Sequence, residues 1–489
     1  MKCVRPFLLV HLLLQAFSSY GQNTARHNGL STQPPPAGNK ASFIQISPKD
    51  PAYFATTDGK TWIPVMMNFI VPDGEEEKVF STVETYFRRF SSNGGNALRI
   101  WISSPFLEIE DQQPGKYNPQ KFQRIDRLLL LAKRYHIRIK FTLQNFWMIA
   151  DSPVGWWKNN RLLSLGSGGP FKDIHEYIGS KRGRAAYLAR VSALAEKYKD
   201  NPQIFSWELW NEMESVGGDD WFSFTATMLD SVKALFPHHL IVQTLGSLHS
   251  LTQESNYSKL ITLKNDAYLT IHRYLDPGTA WGQYRFVQMP SDSLIATAVD
   301  FVKAKGAHKP VVFNEVGAVA ANHSGPSPLY AADTAGVLIH DMIFTPFFCG
   351  AAGSGALWHW DAYVDKQQLW YHFRRFANLV HGLDPAAQKM VPFSFRKDSV
   401  DCYGLKGETT TLIWCRDGRN NWKTELVYHQ KPLPKDHFIL KTPSILGGQY
   451  KKAQAYDPWT DRWSDMPVEK DAVVLPRFTR SIVVLLKTR

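Results

Sequence analysis

The sequence predicts an α/β protein: a (β/α)8 TIM barrel followed by a small C-terminal antiparallel β-sandwich domain. Three observations carry this. From about Ala41 to Leu383, short apolar runs alternate eight times with amphipathic helical patterns. The runs are apolar throughout, as strands are when helices cover a parallel sheet. After about Asp384 the helical period disappears, and short β-branched or aromatic segments separated by turn residues replace it.

In chain order the candidate barrel strands are "WIPVMMN", "NALRIW", "IRIKFTL", "IFSWELW", "LIVQTL", "AYLTIHRY", "PVVFNE" and "ALWHW". Helical faces between them include Phe80, Val83, Phe87 and Phe90, and later Leu188, Val191, Leu194 and Ala195. A doubly wound open sheet is the alternative, weakened because no Gly-rich phosphate loop follows the first strand. The C-terminal domain, 384–489, is expected to build its strands from "DCYGLKG", "TTLIWC", "TELVYH", "FILKTP", "YKKAQAYDP" and "SIVVLLK".

Residues 1–21 read as a signal peptide. Lys2 and Arg5 precede the apolar run Phe7 to Phe17, and "SSYGQ" offers small residues for cleavage after Gly21. The run is too short to span a bilayer. Residues 22–40 are polar and contain "QPPPAGN", the composition of a linker. The expected location is therefore periplasmic or extracellular. No later stretch reaches 18 residues without charge or strong polarity, so no transmembrane segment is expected.

The formal charge is +12, but the Lys and Arg residues are scattered with no run of five. That is a solvated basic surface rather than a nucleic-acid footprint. Cys349, Cys402 and Cys415 lie beyond the signal segment, and no CxxC or Cys/His cluster suggests a metal. Neither metal nor cofactor is expected. Cys402 and Cys415 flank a hairpin and suit either a disulfide or two buried thiols.

Chemistry in such a barrel sits at the C-terminal strand ends. Those ends carry Arg99 and Trp101; Gln144, Asn145 and Trp147; Asn211 and Glu212; His272 and Tyr274; Glu315; and Trp358, His359, Trp360 and Asp361. Glu212 and Glu315 fall on strands four and seven, across the barrel mouth from each other. A carboxylate pair ringed by Trp, Asn, His and Tyr suits cleavage of a glycosidic bond, one group giving a proton and the other attacking carbon or activating water. Glu214 is expected on the loop beyond, supporting the site or facing solvent. Loops at Ser103–Tyr117 and Asp151–Lys172, the latter holding Trp156 and Trp157, are expected to wall the cleft.

"ELWNE", followed about a hundred residues later by "KPVVFNEVG", resembles clan A of the glycoside hydrolases, family 5 in particular. The resemblance spans roughly Trp62 to Trp360. It implies a retaining hydrolase of a mannan- or glucan-type carbohydrate, with Glu212 as acid/base and Glu315 as nucleophile. It further implies that Asn211 holds the sugar 2-hydroxyl, that Arg99 is the strand-two arginine, and that His272 and Tyr274 are the His-x-Tyr pair. Trp360 corresponds to the strand-eight tryptophan. Asn145 stands where many members have a histidine, and Trp101 and Trp147 complete the expected carbohydrate contacts. Two other readings remain: a non-catalytic carbohydrate-binding protein on the same scaffold, which would need neither glutamate, and a metal-dependent barrel hydrolase, for which the chain lacks His/Asp clusters.

Overall fold

Three short strands precede the barrel: β1 (Ile44–Ile46), β2 (Phe54–Thr56) and β3 (Thr61–Trp62), an antiparallel sheet. The computed structural model describes residues 42–145, 162–165, 168–280, 284, 286–441, 450–469 and 472–488. The signal-peptide and linker expectations lie outside these residues, as do Trp147, Trp156 and Trp157. The first predicted run, "WIPVMMN", is divided in the structure. Pro64 has no N–H to continue a ladder, so Trp62 pairs back with Phe54 while the barrel begins at β4 (Met66–Asn68). Ile44, Phe54, Met66, Ala97, Phe205, Tyr268 and Val312 form a separate apolar cluster with this small sheet.

The barrel strands follow in the predicted order, each with its helices. They are β4, then α1 (Glu76–Ser92), β5 (Ala97–Trp101), α2 (Pro119–Arg134), β6 (Arg138–Thr142), α3 (Ile174–Gly179), α4 (Lys181–Tyr198) and β7 (Ile204–Glu208). Then come α5 (Asp220–Leu235), β8 (Leu240–Val242), α6 (Leu251–Ile261), β9 (Leu269–Leu275), α7 (Ser291–Ala304), β10 (Val311–Ala318), α8 (Val337–Phe348) and α9 (Tyr371–Val380). β4 through β8 form one parallel ladder and β9 with β10 a second. The eighth run is only a bridge: Leu357 pairs with both Met67 and Val316, joining the first strand to the seventh. Between β8 and β9 the Ala267 N–H donates to the Ile241 carbonyl at 3.0 Å. Among the described residues, strands that are neighbours in sequence are neighbours in space, without the crossing order of a doubly wound sheet.

Strand periodicity sorts the side chains. On β5, Leu98 and Ile100 enter the core shared with the helices, while Arg99 between them faces inward. The interior is thus polar where the outer layer is apolar. The helix α8, "VLIHDMIFTPFF", is buried at every position because β10 lies on one side and the C-terminal sheet on the other.

The C-terminal region holds β11 (Val391–Lys397), β12 (Val400–Lys406), β13 (Thr410–Asp417), β14 (Pro434–Lys435), β15 (Ile439–Lys441) and β16 (Lys452–Asp457). It continues with β17 (Arg462–Met466), β18 (Val468–Glu469), β19 (Ala472–Val474), β20 (Phe478–Thr479) and β21 (Ser481–Lys487). Six of them form an antiparallel sheet in the order β11-β12-β13-β21-β16-β17. One face packs with β15 and β19 through Cys402, Ile413, Cys415, Leu440 and Val473. The other, through Tyr403, Trp414, Tyr456 and Val483, joins the barrel's own core. Arg416 donates to Asp341 of α8 at 2.8 and 3.1 Å, both side chains buried, which fixes sheet to barrel. "TELVYH" is not a strand as predicted: Lys423–Val427 is a helical turn, started by Asn421, whose Oδ1 accepts from the Lys423 and Thr424 amides. Cys402 and Cys415 are register partners with sulfurs 3.7 Å apart, both free thiols. Among the described residues, no helix is long and apolar enough to cross a membrane.

Candidate active site

The site is built around Arg99, fully buried at the centre of the barrel. Its Nε and Nη2 donate to the two oxygens of Glu208 at 3.0 and 2.6 Å, and Nη2 also reaches Asn211 Oδ1 at 2.7 Å. Nη1 donates to Asn68 at 3.1 Å and to Glu315 Oε1 at 2.5 Å. One guanidinium therefore ties the ends of strands one, two, four and seven together, which its planar fork of donors permits and a lysine would not. Lys140 stands beside it, donating to Asn314 Oδ1 at 2.7 Å and lying 3.1 Å from Glu208. Burial pushes the Glu208 carboxyl up, but Arg99 and Lys140 outweigh it and hold it well below the usual range. Burial also lowers Lys140, to about 8, against the pull of Glu208.

A bulge on β10 aims two consecutive residues inward. The pairing with β9 slips between Phe313 and Glu315, leaving Asn314 as the extra residue. Asn314 Nδ2 donates to Glu208 at 3.0 Å and to His272 Nε2 at 3.2 Å, while its Oδ1 is occupied by Lys140. That locks the amide, so His272 Nε2 must accept and the proton sits on Nδ1. Burial lowers His272 to about 4, agreeing with a neutral ring. The Nδ1 proton points at Glu212 Oε1, 2.8 Å away, with Glu315 Oε2 at 3.5 Å. Tyr274, next inward on β9, donates its hydroxyl to Glu315 Oε2 at 2.7 Å, and burial keeps that phenol protonated. Gly317 leaves room there: a Cβ would lie 3.1–3.2 Å from Tyr330, His359 and Tyr274.

Glu212 follows β7 with left-handed backbone angles, φ 50° and ψ 57°, and its amide donates to Thr244 Oγ1 at 3.2 Å. Strained non-glycine backbone of this kind gathers at functional positions. The side chain keeps 28% of its surface accessible at the cleft. Burial of the carboxyl nevertheless pushes it up to about 7, outweighing the lowering by Arg99. Glu212, His272 and Glu315 each bring a donor atom within 4.8 Å of the others. A metal would have to displace the Nδ1 proton of His272 and compete with Arg99 for Glu315, so the trio fits proton transfer better than ligation.

The structure thus gathers Arg99, Asn211, Glu212, His272, Tyr274 and Glu315 into one connected network. Asn145 is buried beside it and donates to Ser103 at 3.0 Å. Trp101 lies with the Arg99 guanidinium 5.5 Å from its ring centroid and Trp358 at 5.4 Å. Trp360 is largely buried, 9% exposed. It opens a π-helical turn, Trp360–Asp365, and packs behind α1 on Phe69 and Tyr86 at 4.8 and 4.6 Å. Trp358 is partly exposed beside Trp101. The loop at Ser103–Tyr117 is tucked inward in its first half: Glu108 is buried and takes two hydrogen bonds from Arg190 at 2.9 and 2.8 Å. Glu214 is buried rather than solvent-facing. The sequence reading passed over Glu208, Lys140, Asn68 and Asn314. The available signal was parity, since Lys140 in the middle of β6 and Glu208 at the end of β7 take inward positions as Arg99 does.

Residues 104–346 match the model of the GH family 5 beta-mannosidase-like domain. This chain is a clan A, family 5-like glycoside hydrolase. Its relatives include a probable mannan endo-1,4-beta-mannosidase F of Aspergillus oryzae, 27% identical over 271 residues, covering 50% of this chain and 53% of that protein. A mannan endo-1,4-beta-mannosidase A of Emericella nidulans is 25% identical over 264 residues, 50% of this chain and 63% of its own. The family 5-like chain spans about half the length of the curated relatives it matches. A family 5 glycoside hydrolase structure from Bacteroides vulgatus superposes with a TM-score of 0.57 at 13% identity, covering 91% of this chain and 93% of the other. An endo-1,4-beta-mannanase structure from Rhizomucor miehei gives 0.51 at 19% identity, over 69% and 100%. These structural likenesses concern the fold.

Proposed function

We propose that this chain hydrolyses a β-linked, mannan-type polysaccharide with retention of configuration, Glu212 serving as acid/base and Glu315 as nucleophile. The observation that carries the reading is the carboxylate pair. Their nearest oxygens lie within 4.8 Å, which matches the spacing of about 5–5.5 Å of retaining enzymes rather than the 6.5–9.5 Å or so of inverting ones. Their surroundings differ in the required sense. Glu212 is pushed up to about 7 and can carry the proton for the leaving oxygen. Glu315 accepts from a guanidinium and a phenol, one on each oxygen, which fix the direction of its carboxyl.

In the first step Glu315 attacks the anomeric carbon while Glu212 protonates the departing oxygen. In the second, Glu212 takes a proton from water, which displaces the sugar from Glu315. His272, neutral with its proton on Nδ1, serves both steps by donating to whichever form of Glu212 is present. Asn211, whose Oδ1 is held by Arg99, offers Nδ2 to the sugar 2-hydroxyl. Trp101 and Trp358 offer aromatic faces to the ring. The mannan class is supported by the family description and by the relatives' names. Export belongs to the same proposal, on the sequence of residues 1–21 alone.

The test is a polysaccharide panel of mannan, glucan and galactan with the first-formed anomer read by NMR. The reading expects mannan cleavage with the β-anomer appearing first. Binding of mannan without hydrolysis, or first release of the α-anomer, overturns it.

A further inference from the structure

Glu214 has no part in the double displacement just described, yet it is buried two residues beyond the acid/base. Its Oε1 accepts from the Gly246 amide at 2.6 Å and from Gln253 Nε2 of α6 at 2.8 Å. Gly246 belongs to the loop after β8, and that loop is hydrogen-bonded to the segment after β7 that holds Glu212. Thr244 Oγ1 accepts the Glu212 amide at 3.2 Å, and the Thr244 carbonyl accepts the Met213 amide at 3.2 Å. The loop also meets the other partner of Glu212. Tyr257 donates its hydroxyl toward the Leu245 and Gly246 carbonyls at 3.2 and 3.0 Å and accepts the His272 amide at 3.2 Å.

Gly246 is wedged between two carboxyls. A Cβ there would lie 2.8 Å from Glu214 Oε1 and 3.6 Å from Glu212 Cδ. A left-handed glutamate on a turn does not hold its angles unaided; the surrounding structure must over-determine them. Here the over-determination comes from one loop gripped at both ends, by Thr244 on Glu212 and by Glu214 on Gly246.

We infer that Glu214 is a positioning residue for the acid/base: its carboxyl latches the loop after β8, and through that loop sets where the Glu212 carboxyl and its His272 partner sit. The inference rests on the roles proposed above for Glu212 and Glu315. Displacement of a reacting group by about 1 Å costs on the order of 10²-fold. A lost latch should therefore be felt where Glu212 must deliver a proton, and little where it need not.

The test compares wild type, Glu214→Ala, Glu214→Gln and Gly246→Ala on two aryl β-mannosides, one with a poor leaving group and one with dinitrophenolate. Pre-steady-state release of the aryl group reads the first step, and thermal unfolding is followed in parallel. Glu214→Ala should lose about 10–100-fold on the poor leaving group and less than about 3-fold on dinitrophenolate. Glu214→Gln, which keeps an acceptor for the Gly246 amide, should stay within about 3-fold of wild type on both. Gly246→Ala, which crowds the latch from the loop side, should repeat the selective loss, and it decides the matter if Glu214→Ala does not fold. Equal losses on both substrates, no loss, or a Gln variant as impaired as the Ala variant would overturn the inference. A wild type inactive on every glycoside would overturn the functional reading itself.

Discussion

Replacing Glu212 by Gln should make the protein more stable above neutral pH while removing most of its activity. Burial raises this carboxyl from 4.5 to about 7. The folded state thus holds a proton that the unfolded chain releases between those values, so stability from this group is present below pH 4.5 and lost as pH rises toward 7. Raising the carboxyl from 4.5 to about 7, at about 1.36 kcal/mol per pH unit, gives an upper bound of about 3.4 kcal/mol, and about 2 is realistic for a side chain that water reaches over 28% of its surface. Glutamine keeps the Oε1 acceptor for His272 and never ionises. It also relieves Glu214, whose raised value, about 7, is due first to burial and then to the charge of Glu212. Urea unfolding midpoints of the two proteins at pH 4, 6 and 8 make the measurement. The curves should coincide at pH 4 and separate in favour of the variant by pH 8. Curves that stay parallel would refute the claim that Glu212 is held protonated by the fold.

Wild-type turnover should decline above about pH 7 as Glu212 gives up its proton, and a rate still rising at pH 9 would contradict its role as acid. Glu315→Ala should abolish turnover, and azide should yield only an α-glycosyl azide, attacking from the vacated face; a β-azide would reverse the two assignments. Trp358→Ala should raise KM about tenfold, near 1.4 kcal/mol, with little change in Tm. Trp360→Ala should instead cost about 3–5 kcal/mol of stability measured by urea unfolding, because it empties a packed aromatic site. Arg416→Ala should cost about 3–5 kcal/mol by leaving Asp341 buried and unpaired, while the folded variant retains aryl-glycoside turnover.

The eight barrel runs were legible because outer-layer side chains must be apolar and interior ones are few, so each strand reads as a short hydrophobic stretch. The same feature hid the charged interior. Lys140 in "IRIKFTL" and Glu208 in "FSWELW" interrupt those stretches singly, and one charge in an apolar run carries no partner's name with it. Glu212 and Glu315 were legible because each closes an apolar run of the sequence beside an asparagine, Asn211 and Asn314. The bulge that turns both Asn314 and Glu315 inward cannot be read from a period of two. Trp358 and Trp360 share strand parity, and only the π-helical turn that begins at Trp360 separates them. "TELVYH" has the composition of a strand, but the Asn421 side chain caps its backbone into a turn.

The ions sealed inside the barrel have one more consequence. Arg99 and Lys140 are matched by Glu208 and Glu315, so the buried group is neutral while Glu212 keeps its proton. Under the proposed roles, forming the glycosyl ester removes the charge of Glu315 and leaves the group one positive charge in excess. Nothing moves to answer it, because every member is buried and fixed by hydrogen bonds. Glu212 is then the adjoining carboxyl able to restore neutrality, and it does so by keeping the charge it acquired on releasing its proton to the leaving group. It thereby becomes a base at the moment a base is required. Hydrolysis of the ester returns the charge to Glu315, and the excess that favoured ionised Glu212 vanishes with it. The alternation of one residue between acid and base would then follow from a fixed sum of charges, with no conformational switch.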